Sequence, residues 1–402
     1  MSKNILSMAT LFLLIWSLVG CQEESRDYIV KTDPEPEDSV TIDKFYFGAD
    51  LSYVNQILDH AGVYKDEGIQ KDPYEIFASK GTNLVRLRLW HNPAWTKEVY
   101  GASGTQLYND LYDVEKAIAK SKAQGMEVLL DFHYSDDWAD PGKQKVPAAW
   151  VDISDITTLG DSVYNYTYEV LSYLNGKGLM PELVQVGNET NCGMMLSGRN
   201  AGFPNLNVCE SGWANFGSVA KRAISAIRDV NPDTKILFHV ADPENVDWWF
   251  NSLINTAGVK DFDMIGFSYY PVWHTTIRPH QLEDNVAGFV SKFNKEVVIL
   301  ETAYPWTTAA NDSYPNLFGG DTPLTGYPYT LEGQLNMMID LTQSMISAGG
   351  SGIVYWEPAW ITSEAKDQWN TGSSWESNTF FDFDGNAHSG FDFIKYEYDT
   401  NE

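Results

Sequence analysis

The run LVQVGNETN (183–191) begins apolar enough to fill a buried strand and then presents Gly187, Asn188 and Glu189. Two further runs behave alike: VVILETAYPW (297–306) ends its apolar stretch on Glu301, and GIVYWEPAW (352–360) on Glu357. A carboxylate is costly to bury unless it is paired, hydrogen-bonded or neutral, so core strands that finish on glutamate need a reason. Two glutamates facing one cleft can hydrolyse a glycosidic bond. One carboxylic acid protonates the departing oxygen, while the other carboxylate attacks the anomeric carbon or activates water to do so. A single glutamate of this kind reads as a structural ion pair. A pair, with Asn188 directly before Glu189, reads as a site.

Bringing such residues together requires strands that all exit on one side. Strand-like segments occur at 45–52, 83–90, 127–134, 183–189, 235–242, 263–271, 296–305 and 352–360. Amphipathic helical patterns lie between them. YNDLYDVEKAIAKSKAQG stops at Gly125, WANFGSVAKRAISAIRDVNPD at Pro232, and LEGQLNMMIDLTQSMISAGG at Gly349 and Gly350. Eight strand–helix units in 402 residues predict a single-domain α/β fold, a (β/α)8 TIM barrel over residues 43–400. A doubly wound open sheet is the alternative, but it needs neither eight units nor polar strand ends. In a parallel barrel the strand ends converge in one mouth. That mouth would gather Asp50, Arg88, His133, Asn188, Glu189, His239, Asp242, Tyr269, Glu301, Trp356 and Glu357.

Composition narrows the partners. With 14 Trp and 22 Tyr the chain has more aromatic faces than packing alone requires, and such faces stack on sugar rings. A formal net charge of −28 argues against a nucleic-acid partner and disfavours a polyanionic substrate. Zinc-binding CxxC and HExxH patterns, nucleotide-binding glycine loops and a GxSxG elbow are all missing from the sequence.

Longer motifs carry a family resemblance. RLRLWHNP, DFHYSDDWADPGKQKVPAAW, VGNETNCGM, SYYPVWH, ETAYPW and YWEPAW resemble the endo-β-1,4-galactanases of glycoside hydrolase family 53, from about Phe47 to Phe383. The resemblance implies retaining, endo-acting hydrolysis of β-1,4-galactan (arabinogalactan type I), with Glu189 as acid/base and Glu301 as nucleophile. It implies that Asn188 holds the sugar 2-hydroxyl, that Arg88 orients the nucleophile and that Tyr269 donates to Glu301. His133 and His239 would hydrogen-bond substrate or the catalytic carboxylates. Trp356 would floor the reacting subsite, extended by Trp273 or Trp306, with Asp50 and Glu357 in binding or supporting roles. No cofactor is required for the chemistry. Some relatives hold a structural Ca²⁺ between two loops; here Asp312, Asn316, Ser373 and Glu376 stand at those places in a depleted set, and ordinary polar loops are the alternative. Two rival readings remain at this stage: a clan-related β-glycanase acting on mannan or glucan, and a non-catalytic glycan-binding lipoprotein.

Residues 1–21 read as a lipoprotein signal peptide, because Lys3, a short apolar stretch and LVGC at 18–21 resemble a lipobox ending on Cys21. Residues 22–42 are polar, acidic and proline-containing, which reads as a flexible tether. The expectation is an exported monomer anchored by lipid to the outer membrane, at the cell surface or on its periplasmic face. In that compartment Cys192 and Cys209 can form a disulfide; two free cysteines are the alternative.

Overall fold

The computed structural model describes residues 44–318 and 321–399. Cys21 and the tether therefore lie outside the described residues. Eight parallel strands close into a barrel: β1 (Tyr46–Asp50), β2 (Leu84–Leu89), β3 (Glu127–Phe132), β4 (Leu183–Val186), β5 (Lys235–Ala241), β6 (Met264–Ser268), β7 (Glu296–Thr302) and β8 (Gly352–Tyr355). The ring is sealed by β1, which pairs with β8 on one side (Phe47 opposite Ile353) and with β2 on the other (Ala49 opposite Val85).

Strand periodicity sorts the side chains into two apolar sets. Tyr46, Leu84, Leu129, Leu183, Leu237, Met264, Val298 and Val354 pack together inside the lower barrel. Their neighbours one residue along, such as Val85, Val128, Val184 and Ile265, join the layer beneath the helices. Above the apolar floor the same inward positions turn polar: Asp50, Arg86, Arg88, Asp131, Gln185 and His239 are all buried.

Among the described residues seven helices of eight residues or more cover the outside: α1 (Pro73–Lys80), α2 (Leu111–Ala123), α3 (Ile156–Gly176), α4 (Trp213–Val230), α5 (Val246–Asn255), α6 (Pro279–Phe293) and α7 (Leu331–Ser347). Several start on a side chain that accepts an otherwise orphaned backbone N–H: Asp72 from Tyr74, Asp110 from Asp113, Asp155 from Thr158, and Thr330 from Gly333. The expected eighth helix is replaced. Among the described residues β8 is followed by a 3₁₀ segment, Ser389–Lys395, which packs between α7 and α1. Its apolar residues, Phe391, Phe393 and Ile394, are buried, so a short tight turn fills the gap that a full helix fills elsewhere.

Cys192 and Cys209 are joined in a disulfide that ties the segment after β4 to itself across 17 residues. No helix among the described residues is long and apolar enough to cross a membrane.

Candidate active site

The strand ends open into a cleft of about 700 Å³ lined by Asp50, Arg86, Arg88, His133, Asn188, Glu189, Tyr270, Glu301, Trp356 and Trp375, among others. Glu189 and Glu301 reach it by different local devices. After β4 the chain turns through Gly187 (φ 79°) and places Glu189 itself at φ 45°, a left-handed conformation disfavoured for a glutamate. That turn lets Asn188 and Glu189 both enter the mouth. On β7 the device is a register shift. Phe267 of β6 pairs with Ile299, but Ser268 pairs with Glu301, so one extra residue is accommodated at Leu300. Simple alternation would place Leu300 inside and Glu301 outside. The bulge allows both to face in: Leu300 joins the inner cluster, and Glu301 lines the cleft.

One guanidinium organises the base of the site. Arg86 is 1% exposed. Its Nη1 donates to Glu301 Oε1 (2.8 Å) and Asp50 Oδ2 (2.9 Å), its Nη2 to Asp131 Oδ2 (2.8 Å) and Asn188 Oδ1 (2.7 Å), and its Nε to Gln185 Oε1 (3.1 Å). The second oxygen of Glu301, Oε2, accepts from the Tyr270 hydroxyl at 3.0 Å. Burial raises the Glu301 carboxyl above its usual range, helped by the charges of Asp50 and Asp131, while Arg86 and then the Tyr270 hydrogen bond pull against that rise and offset part of it. Glu189 lacks such a clamp. Burial and the nearby charge of Glu301 hold its carboxyl well above the usual range, and its Oε1 lies 2.5 Å from Ser268 Oγ. One oxygen of Glu189, one of Glu301 and a ring nitrogen of His239 lie within 4.8 Å of one another. A cation among them would have to compete with Arg86 at Glu301, and both His239 nitrogens already face close polar partners.

Two expected roles move to neighbours. Arg88 does not touch Glu301; its Nη1 pairs with Glu357 Oε1 at 3.0 Å, with the guanidinium packed over Tyr53, Trp90 and Trp138. Arg86, two residues earlier and deeper on the same inward face, orients Glu301 instead. Tyr269 donates to the Ile277 carbonyl at 2.9 Å and does not line the cleft; Tyr270 holds Glu301.

The histidines separate as well. His133 lines the cleft, accepting from the Trp90 indole N–H at Nδ1 (3.1 Å) and donating from Nε2 to Asp131 (3.0 Å). His239 is fully buried behind Asn188 and Ser268, so it meets no substrate directly. Trp356 and Trp273 both line the cleft, Trp356 edge-on to Trp375 (4.7 Å, 89°) and Trp273 stacked on Phe318 (4.1 Å, 5°). Trp306 packs against Phe383 and His388 outside that lining, so it extends no platform.

The residues weighed for calcium clamp the two loops to each other directly. Asp312 accepts from the N–H groups of Tyr314 (2.7 Å) and Ser373 (2.9 Å), and Glu376 accepts from the Asn311 N–H (2.6 Å) and the Thr362 hydroxyl. Ser373 Oγ donates to the Trp360 carbonyl, and Asn316 Nδ2 reaches toward the Ala309 carbonyl at 3.5 Å. Calcium takes six to eight oxygen ligands. Two carboxylates already committed to N–H and O–H donors do not fit that need.

The family model for glycosyl hydrolase family 53 matches residues 46–394, essentially the whole barrel. The chain belongs to glycosyl hydrolase family 53. A relative from Cellvibrio japonicus, named arabinogalactan endo-beta-1,4-galactanase, is 41% identical over 365 residues, covering 89% of this chain and 92% of that protein. The family 53 catalytic domain of Ignisphaera aggregans superposes with a TM-score of 0.78 at 34% identity, covering 91% of this chain and 99% of that domain. A structure reported for two fungal beta-1,4-galactanases superposes at 0.70 with 30% identity, covering 87% of this chain and 98% of its own. Family 53 membership makes the chain a glycoside hydrolase and accounts for a strand-end carboxylate pair in an aromatic cleft without any cofactor.

Sequence reasoning passed over Arg86, Tyr270, Asp131, Gln185 and Ser268. Arg86, Asp131 and Gln185 carry a signal in hindsight: each lies at an inward position of its strand, where a polar residue has no packing reason to be.

Proposed function

We propose that this chain hydrolyses β-1,4-galactan within the polymer, with retention of configuration at the anomeric carbon. The observation that carries the mechanism is the approach of Glu189 and Glu301 oxygens to within 4.8 Å. That supports the close carboxyl spacing of retaining glycosidases, about 5–5.5 Å, over the ~6.5–9.5 Å that leaves room for an inverting water. In the first step Glu301 forms an ester bond to the anomeric carbon as the glycosidic C–O bond breaks, and Glu189 gives its proton to the departing oxygen. In the second, water adds to the anomeric carbon, Glu189 takes the water's proton and Glu301 leaves as a carboxylate. Arg86 and Tyr270 hold Glu301 ionised and aimed. The second Nδ2 hydrogen of Asn188, beside the one given to the Ala139 carbonyl at 2.8 Å, is free for the sugar 2-hydroxyl. Trp356, Trp273 and the other cleft aromatics supply stacking faces along the chain.

The substrate reading is supported by relatives named arabinogalactan endo-beta-1,4-galactanase that match most of this chain, 89% of it for the Cellvibrio japonicus protein. New reducing ends on galactan, and none on mannan or glucan, would separate it from related glycanases. Retention is tested by azide rescue. Glu301→Ala should be restored by azide with inverted product, and Glu189→Ala with retained product on aryl galactosides. The opposite pattern would exchange the two roles.

We further propose that Cys21 carries a lipid anchor holding a monomeric barrel to the outer membrane. Cys21→Ser should release the folded enzyme into the soluble fraction. Persistent, salt-resistant membrane fractionation of that variant would sink the idea.

A further inference from the structure

We propose that Ser268 and His239 are positioning residues that reserve a proton for Glu189: in the resting enzyme Glu189 donates to Ser268, Ser268 donates to His239, and His239 donates to Asn188. The inference rests on the reading of Glu189 as acid/base and goes beyond it, because it assigns a direction to every hydrogen in the chain.

The direction follows from one group that cannot accept. Arg86 Nη2 sits 2.7 Å from an amide atom of Asn188, so that atom is the carbonyl oxygen, and the amide nitrogen points at the Ala139 carbonyl, 2.8 Å away. His239 Nδ1 lies 2.8 Å from the same Asn188 oxygen, so Nδ1 carries a hydrogen. Gln185 Nε2 also approaches Nδ1, at 3.1 Å, yet its two hydrogens have acceptors at 3.0 Å in the Gly187 carbonyl and the Asn188 oxygen. The Glu189 N–H is 3.4 Å from Nδ1, a long contact.

His239 is fully buried. Burial, Arg86 and His133 keep its ring neutral at ordinary pH. With Nδ1 protonated, a neutral ring has a bare Nε2, which accepts from Ser268 Oγ at 2.9 Å. Serine has one hydrogen, and it is now committed. The remaining contact, Ser268 Oγ to Glu189 Oε1 at 2.5 Å, needs a hydrogen that only the carboxyl can bring.

One proton is thus shared along Glu189, Ser268 and His239. Moving it to the histidine would make Nε2–H donate to serine and serine donate to an ionised Glu189, with no atom lost or gained. Arg86 and His133 facing His239, and Glu301 and Asp140 facing Glu189, oppose that shift; Arg86 also favours an ionised Glu189, but its pull there is weaker than the push of Glu301 and Asp140. The proton therefore rests on Glu189, beside the cleft where a leaving oxygen would take it.

Ser268→Ala removes the acceptor for the Glu189 proton, so the alkaline limb of kcat/KM should move to lower pH by about 0.5–1 unit. A serine that instead donated to an ionised carboxylate would give the opposite sign. The loss in kcat should be larger for galactan and poor leaving groups than for a dinitrophenyl galactobioside, and Ser268→Thr should restore the limb. Infrared difference spectra of the unaltered enzyme give a readout that depends on no serine variant. A protonated-carboxyl band at neutral pH that is missing in Glu189→Gln supports the relay, and a Glu189 signal wholly in the carboxylate region overturns it. An alkaline limb that stays put or moves upward in Ser268→Ala also overturns it, while Glu189→Ala still sparing the activated substrate keeps the acid/base reading intact. If Glu189→Ala loses both substrates equally, the acid/base reading falls and the relay falls with it.

Discussion

Gly266 on β6 is a sensitive test of how Glu301 is placed. A Cβ added there would lie 2.1 Å from Leu300 Cδ1, 2.8 Å from Leu300 Cγ and 3.1 Å from the Phe238 carbonyl oxygen. Leu300 is buried inside the barrel and immediately precedes Glu301 at the register shift. Returning the closest pair to an ordinary 3.4 Å contact needs about 1.3 Å of movement, the difference between 3.4 and 2.1 Å. Leu300 is packed in the inner apolar cluster, and a close-packed interior resists a shift of that size by the side chain alone. Overpacking of this kind costs about 1–3 kcal/mol in stability. Misplacing a catalytic group by about 1 Å costs on the order of 100-fold in rate. Gly266→Ala should therefore stay folded with a lower denaturation midpoint and lose roughly 100-fold in kcat on galactan. KM should change little, since Trp273 and Trp356 stand on other segments. Adding Leu300→Ala removes the colliding atoms and should recover kcat by about tenfold or more over Gly266→Ala alone, even as stability falls further. Steady-state kinetics and urea unfolding on the three variants suffice. If Gly266→Ala is destabilised yet keeps kcat within about twofold, the link between Leu300 packing and Glu301 aim is wrong.

Tyr270→Phe removes the donor to Glu301 Oε2, a hydrogen bond to a charged group worth about 1.5–3 kcal/mol, and should lower kcat/KM by roughly 10- to 100-fold. Tyr269→Phe loses only a bond to the Ile277 carbonyl, so its kcat/KM should stay within about twofold of the parent; the reverse ranking would restore the sequence-based assignment. Burial, against the pull of Arg88, raises Glu357 from 4.5 to about 8. Between those values the unfolded chain has lost a proton that the fold retains, so this contribution is full at low pH and stability falls as pH rises through the window. Glu357→Gln should consequently gain on the parent by a few kcal/mol between about pH 5 and 8, and unfolding curves with a constant gap across that range would refute it. Chelation with EDTA should leave Tm unchanged, because Asp312 and Glu376 already clamp their loops through protein hydrogen bonds; a clear drop reversed by added calcium would show a bound ion.

The barrel and the two glutamates were legible because both depend on short-range pattern. An apolar run of strand length that ends on a carboxylate declares both its element and its exit. Depth inside the barrel was not legible. Arg86 and Arg88 occupy alternate positions of one strand and share the inward face, so period-two reasoning treats them alike. Which one meets Glu301 depends on the stagger between strands far apart in sequence. Tyr269 and Tyr270 were exchanged for a related reason: β6 ends at Ser268, and beyond it the turn, not the pleat, sets direction. The bulge at Leu300 leaves no local mark, since it exists only relative to the strands alongside. After β8, where an eighth helix was expected, the described residues offer FDFIK, which is apolar enough to be buried but too short to make more than a 3₁₀ segment.

Sealing the ring between β1 and β8 has a consequence for how the chain is made. Phe47 has its partner in Ile353, 306 residues downstream (353 − 47), and Lys395 in the 3₁₀ segment reaches back to the Ser79 carbonyl at the end of α1. At synthesis rates of about 5–20 residues per second, the first strand waits roughly 15–60 s for its neighbour to emerge. During that interval the nascent barrel is an open sheet with an unpaired edge at β1, unable to lock shut. Until residue 353 has been made, the outer edge of the first strand is therefore open to any other strand that can pair with it.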